Sequence, residues 1–302
     1  MKFKKILIVI ILCSIIGITI GLFKLETNKN TIILATTTSA SDSGLLDYLI
    51  PYFENETGVQ VKVLVTGTGE ALELGKRGDV DVILIHSRTD EDLFIKEECG
   101  VHRACIMYND FIIVGPPNDP AGIKNRSIYE ALNIIRQNQL KFVSRGDNSG
   151  TYKKEIFLWN KTGYIPNTKN DSWYLETGTG MGSTLVISSE KGAYTLTDRG
   201  TFLSYKSSLN LICLVEGDTD LLNPYGAILI NPDKHPYVNF EEAKKFVGFL
   251  VSEKGQFLIG NFTINGEQLF HPLFGHCNEL TNCSTQHEEI EYWKDYNGNY
   301  TG

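Results

Sequence analysis

TIILATTTSASDSGLLDYLIPYFENETG, residues 31–58, decides the fold class. The run from Thr31 to Ala35 is apolar and β-branched and reads as a strand. It passes through Thr36-Thr37-Thr38-Ser39 into Leu45, Leu46, Leu49, Ile50 and Phe53 at helical spacing, closed by Gly58. A strand that delivers hydroxyl side chains into the start of a helix makes an anion pocket, because unpaired backbone N–H groups and the positive end of the helix dipole meet there. A second stretch repeats the layout. A strand from Lys141 to Ser144 runs into Arg145-Gly146-Asp147-Asn148-Ser149-Gly150-Thr151, and a helix follows from Ser149 to Asn160. Arg145 adds positive charge and two parallel hydrogen bonds to the neutral donors.

Outward from these stretches, strand and helix signals alternate. Val59 to Val65 alternates in polarity, Thr66-Gly67-Thr68-Gly69 turns into a short helix from Glu70 to Lys76, and Val80 to Ile85 reads as a buried strand. This is a β/α lobe with parallel strands. The long apolar run from Ala104 to Gly115 ends in Pro116-Pro117 and carries the chain into a second β/α series. That series has a helix near Ile128 to Asn138, the Arg145 stretch, a helix after Gly180-Met181-Gly182 and a strand from Ala193 to Thr197. Tyr225 to Asn231 offers a return strand. Phe240 to Val251 is an amphipathic helix with Phe246, Val247, Phe249 and Leu250 toward a core.

The chain has 302 residues, enough for two lobes of ordinary size, and a formal net charge of −8. That balance excludes a nucleic-acid backbone binder, which needs a basic surface. Residues 6–23 carry no charge and follow Lys2, Lys4 and Lys5, which fits a secretion signal or a single-pass anchor. Thr19-Ile20-Gly21 is a poor cleavage site, so an uncleaved anchor is expected, with the remaining chain outside the cytoplasm. Bulky Leu12 argues against lipid attachment at Cys13. In an oxidising compartment Cys99 with Cys105 and Cys277 with Cys283 are local disulfide candidates, leaving Cys213 free. His276, Cys277, Cys283 and His287 form an alternative zinc set that lacks Cys-x-x-Cys spacing.

Several ordered blocks together resemble the Tup-type tungstate-binding proteins of ABC importers: TTTSASDSGLLDYLIPYFENETG, VTGTGEALELGKRGDVDVILIHS, MYNDFIIVGPPNDPAGI, FVSRGDNSGTY, AYTLTDRGTFL and NFTINGEQLFHP. The resemblance covers roughly residues 32–272. It implies a type II periplasmic-binding-protein fold, two α/β lobes with a ligand cleft between them. Lobe 1 would take residues 31–110 plus about 235–274 and lobe 2 residues 111–234, flanked by a signal or anchor at 1–30 and a loosely attached polar tail at 275–302. It also implies an oxyanion ligand held by Thr38, Ser39, Thr68, Arg145, Ser149 and Thr151, no cofactor and no metal. The partner would be an ABC-importer permease with its ATPase. Tungstate has no proton to offer a carboxylate, so Asp147 is expected to turn away from it and orient Arg145.

Blander readings stand beside each residue. Thr36 to Ser39 is also an ordinary helix cap, and Thr66-Gly67-Thr68-Gly69 is also a common turn without a P-loop lysine. Asp198 and Arg199 either line the cleft or form a local ion pair. A serine hydrolase built on Ser149 lacks the Gly-x-Ser-x-Gly elbow. A membrane-tethered oxyanion sensor, or a binder of phosphate, sulfate or molybdate, would use the same pocket.

Overall fold

Strand β1 (Thr31–Thr37) runs two residues beyond the apolar stretch. The reason is a hydrogen bond: Thr36 Oγ1 donates to the Leu84 carbonyl at 2.8 Å inside the sheet, so its hydroxyl is satisfied while the backbone stays extended. This computed structural model describes residues 30–147, 149–276 and 287–296. The expected N-terminal signal or anchor lies outside them. Among the described residues no helix is long and apolar enough to cross a membrane.

β1 pairs in parallel with β2 (Gln60–Thr66) on one side and β3 (Val82–Ile85) on the other. Helices α1 (Thr38–Asp42), α2 (Leu45–Thr57), α3 (Thr68–Arg77) and α4 (Arg88–Lys96) complete the β/α units. Strand β4 (Gly100–Gly115) then spans both lobes. Its first half pairs antiparallel with β9 (Leu222–Ile230), and its second half with β7 (Thr195–Asp198) and β8 (Ile212–Val215). β9 also pairs with β3, and β10 (His271–Pro272) with β4, giving the order β10-β4-β9-β3-β1-β2. β9 thus lies between β4 and β3 in the sheet.

The second lobe holds α5 (Ile128–Gln137), β5 (Phe142–Ser144), α6 (Gly150–Lys161), β6 (Tyr174–Glu176), α7 (Met181–Lys191) and α8 (Arg199–Tyr205). α5 starts at a full capping box between Ser127 and Glu130. Helices α9 (Phe240–Val251) and α10 (Glu253–Asn261) cover the first lobe again. Each lobe closes its own core: Phe53, Ile106, Phe246 and Phe249 belong to the first, Phe142, Leu158, Trp159 and Tyr174 to the second. Two cores joined by β4 and β9 leave a cleft at their boundary, the usual place for a ligand.

Two expectations are corrected. Cys99 carries a free thiol, whereas Cys105 is disulfide-bonded, so the proposed Cys99–Cys105 bridge is absent and the partner of Cys105 lies outside the described residues. Six residues of extended chain span roughly 20 Å, about three times the reach of a disulfide. Cys213 is free as expected. The Cys277–Cys283 pairing and most of the alternative zinc set lie outside the described residues.

The tail is not loosely attached throughout. Residues His287–Tyr296 form α11, and Trp293 is fully buried in the first-lobe core. Its Nε1 donates to the His102 and Arg103 carbonyls at 3.0 and 3.3 Å, and Tyr292 stacks on the His102 ring at 3.6 Å. The acidic composition hides an aromatic face, Tyr292, Trp293 and Tyr296, that helical spacing gathers on one side. Trp293→Phe should cost about 1–3 kcal/mol by unpairing buried carbonyls. A urea midpoint unchanged from the parent protein would contradict this placement.

Candidate functional site

The three parallel strands of the first lobe end at one edge of the sheet. Thr37 is level with Thr66, and Thr36 with Leu84, so Thr38, Thr68 and His86 emerge side by side just past the strand ends. The carboxyl ends of strands in open α/β sheets are where ligands sit. Thr38 is exposed at the first position of α1, and Thr68 is half-buried at the first position of α3, preceded by the cap residue Gly67. Ser39 lies in the first turn of α1; its side chain is outside the described set.

The second lobe presents the Arg145 loop against this edge. Arg145 Nη2 donates to Asp147 Oδ2 at 2.7 Å, and the Asp147 Oδ1 accepts from the Ser149 amide at 3.2 Å. Burial pushes the Asp147 carboxyl up, but hydrogen bonds from Ser149 and the charge of Arg145 together hold it below the usual carboxylate range. Asp147 is thus ionised and spent on positioning the guanidinium. Ser149 caps α6, its Oγ accepting from the Tyr152 amide at 3.2 Å, and Thr151 is buried one residue into the helix. Ser149 is therefore the N-cap of α6.

Arg145 is fixed from behind as well. Its carbonyl accepts from the Gly178 amide at 2.8 Å and from Thr177 Oγ1 at 3.3 Å, which ties the loop to the segment leading into α7. Gly146 has φ +61°, and a Cβ there would stand 2.6 Å from the Glu176 Cβ, so only glycine fits. The Arg145 Nε is buried with no hydrogen-bond partner among the described residues. A buried guanidinium N–H without an acceptor is costly unless a ligand supplies one.

Beneath α6, Glu155 is fully enclosed and accepts from the Tyr174 hydroxyl at 2.6 Å. Burial pushes its carboxyl up to about 8, so it is neutral at pH 7 and puts no negative charge beneath the start of α6. Asp198 and Arg199 take separate partners rather than pairing with each other. Asp198 caps α8 through Thr201, and Arg199 forms a paired contact with Asp110 at 2.7 and 2.6 Å and reaches Glu216 at 2.6 Å.

One residue at this edge was not singled out from sequence. His86 follows β3, with its Nδ1 3.0 Å from Asn223 Oδ1 and its ring tilted on Tyr225 at 4.8 Å. A Cβ on Gly150 would lie 3.2 Å from the His86 Cε1, so this first-lobe ring faces the start of α6 across the cleft. The available signal was its place: the first residue after a fully buried strand, level with Thr38 and Thr68 past the neighbouring strand ends.

Two lobes, two crossing strands and helix starts converging on an arginine with an open N–H define an anion-binding protein of the periplasmic-binding class. The chain matches the PBP superfamily domain over residues 25–254. It is 49% identical over 249 residues to the tungstate-binding protein TupA of Peptoclostridium acidaminophilum, covering 82% of this chain and 85% of that one. The TupA of Campylobacter jejuni is 39% identical over 236 residues, 77% and 87% of the two chains. The solved structure of TupA from Desulfovibrio alaskensis G20 superposes with a TM-score of 0.77 at 43% identity, covering 80% of this chain and 98% of that one. The chain belongs to the TupA family of solute-binding proteins within the PBP superfamily.

Proposed function

We propose that this chain captures tungstate outside the cytoplasm and delivers it to an ABC-importer permease with its ATPase, the N-terminal segment holding it at the membrane. The oxyanion is the ligand, with no cofactor, no metal and no chemical step. The buried Arg145 Nε, with no acceptor among the described residues, is the observation that carries this reading. Removing a dianion from water costs several kcal/mol. Hydrogen bonds to a charged group each return roughly 1.5–3 kcal/mol. Arg145, Thr38, Ser39, Thr68, Ser149, Thr151 and the helix-start amides supply enough of them, and TupA relatives carry the name of the ligand.

Selection against phosphate follows from Asp147. A hydrogen phosphate needs an acceptor for its proton, and the Asp147 carboxylate is taken by Arg145 and the Ser149 amide. Anion-stripped protein should melt higher with tungstate, by the equivalent of about 2.7 kcal/mol at a hundredfold excess over Kd. Molybdate, of the same shape and charge, should raise the melting point as well, and phosphate should leave it in place. A larger shift with phosphate than with tungstate would reverse the assignment.

A further inference from the structure

The stretch NFTINGEQLFHP, residues 261–272, supplies none of the cleft residues named above, yet it reaches from one lobe to the other. It leaves α10 in the first lobe as a tight hairpin, in which Thr263 and Ile264 pair antiparallel with Gln268 and Glu267. Asn265 and Gly266 make the turn at φ +53° and +81°, the left-handed geometry that an Asn-Gly pair favours. The chain then rejoins the first lobe through Leu269 and Phe270, both buried in its core.

The hairpin crosses to the second lobe at α8. Asn265 Nδ2 donates to the Leu203 carbonyl at 3.1 Å, and Glu267 pairs with Lys206, just past the end of that helix, at 2.7 Å. Ile264 packs against the first-lobe core and also against the second-lobe cluster that holds Ile112, Phe202 and Leu203. In the first turn of α8 a Cβ on Gly200 would stand 3.1 Å from Leu269 Cδ2, so the helix rests on the base of the hairpin. α8 is fixed in turn to α7, where a Cβ on Gly182 would stand 2.5 Å from the Tyr205 hydroxyl oxygen. The segment leading into α7 holds the Arg145 carbonyl.

An anion that reaches the buried Arg145 Nε has to enter while the lobes are apart and is held while they are together. β4 and β9 run continuously through both lobes and stay intact when the lobes part. The contacts of the hairpin with α8 join separate segments and can break. We propose that the hairpin at residues 263–268 is a clasp between the lobes, and that Ile264 and Asn265 raise the affinity for tungstate from outside the cleft by favouring the closed arrangement. The inference rests on the tungstate-binding reading above. The apparent affinity of a site that binds in one arrangement scales with the fraction of protein in that arrangement, so contacts made only there strengthen binding without touching the ligand. The exposed Lys206–Glu267 pair adds little strength of its own and serves as a reporter of the clasp.

Two measurements on the full chain test the clasp. A carbodiimide links an ammonium to a carboxylate in direct contact, so the Lys206–Glu267 cross-link, quantified by peptide mass spectrometry, follows the clasp. Lys76 and Glu97, 3.0 Å apart within the first lobe, give the internal reference. The ratio of the two cross-links should rise about twofold or more when tungstate is added to stripped protein. This experiment uses the parent protein and does not depend on a variant folding. Calorimetry of the double variant Ile264→Ala with Asn265→Gly, folded by circular dichroism, should give a Kd roughly tenfold above the parent, with tungstate released faster by a similar factor. Glycine keeps the turn and removes the bond to Leu203. A cross-link ratio indifferent to tungstate, or a Kd within about twofold of the parent, would overturn the clasp and leave tungstate binding intact. No binding heat in the parent protein would remove both.

Discussion

Arg145→Ala weakens tungstate binding by about 3–5 kcal/mol, which is roughly 150- to 5,000-fold in Kd, because a buried ligand charge loses its only full countercharge on that loop. The guanidinium is not interchangeable with an ammonium here. Its Nη2 is held by Asp147 and its Nε is left open, a planar division that a point charge does not reproduce, so Arg145→Lys should recover only part of the loss. Asp147→Asn is expected to weaken tungstate moderately by loosening that orientation, with phosphate still rejected. Titrations of the three variants, each checked for an unchanged melting profile without ligand, order these effects. A Kd for Arg145→Ala within threefold of the parent would take Arg145 out of the site.

The second large effect concerns stability. Arg103 on β4 is buried against the equally buried Glu91 of α4, Nε to Oε2 at 2.6 Å, and its Nη1 lies 3.5 Å from Glu289 of α11. A Cβ on Gly226 would stand 2.4 Å from Glu91 Oε2, so β9 leaves the space in which this pair sits. Arg103→Met leaves Glu91 charged and buried without its cation, at a cost of about 3–5 kcal/mol. Replacing both partners, Glu91→Gln with Arg103→Met, should recover much of it, since the unpaired charge is what costs most. Urea unfolding of the single and double variants measures the difference. A double variant as unstable as Arg103→Met would mean that Arg103 acts through packing rather than charge.

The sequence was most legible where one signal served two purposes. In Thr31 to Ala35 the apolar run that makes a strand also marks the sheet interior, and the helix α9 has the bounds that its periodicity gives. The Arg145 loop was legible because Gly146 and the Ser149 cap are local chemistry, fixed by near neighbours in the chain. What was not legible depends on distant partners. β6 is three residues long and exists by pairing with β5, and α4 closes on Arg103 fifteen residues from its own start. His86 gains its meaning from Asn223, 137 positions away, and from a glycine in the other lobe. Cys105 was assigned to a neighbour in sequence, although an extended strand carries near residues apart. The aromatic face of α11 was masked by its glutamates because composition averages over the sides of a helix.

The central claim is that the cleft between the lobes encloses one tetrahedral oxyanion, tungstate, around Arg145. Calorimetric titration of the ligand-stripped chain with sodium tungstate addresses it most directly. The account predicts saturable binding at one tungstate per chain, lost in Arg145→Ala, with phosphate added beforehand unable to compete. Absence of binding heat with tungstate and molybdate in folded, stripped protein, or equal binding by the Arg145→Ala variant, would contradict it.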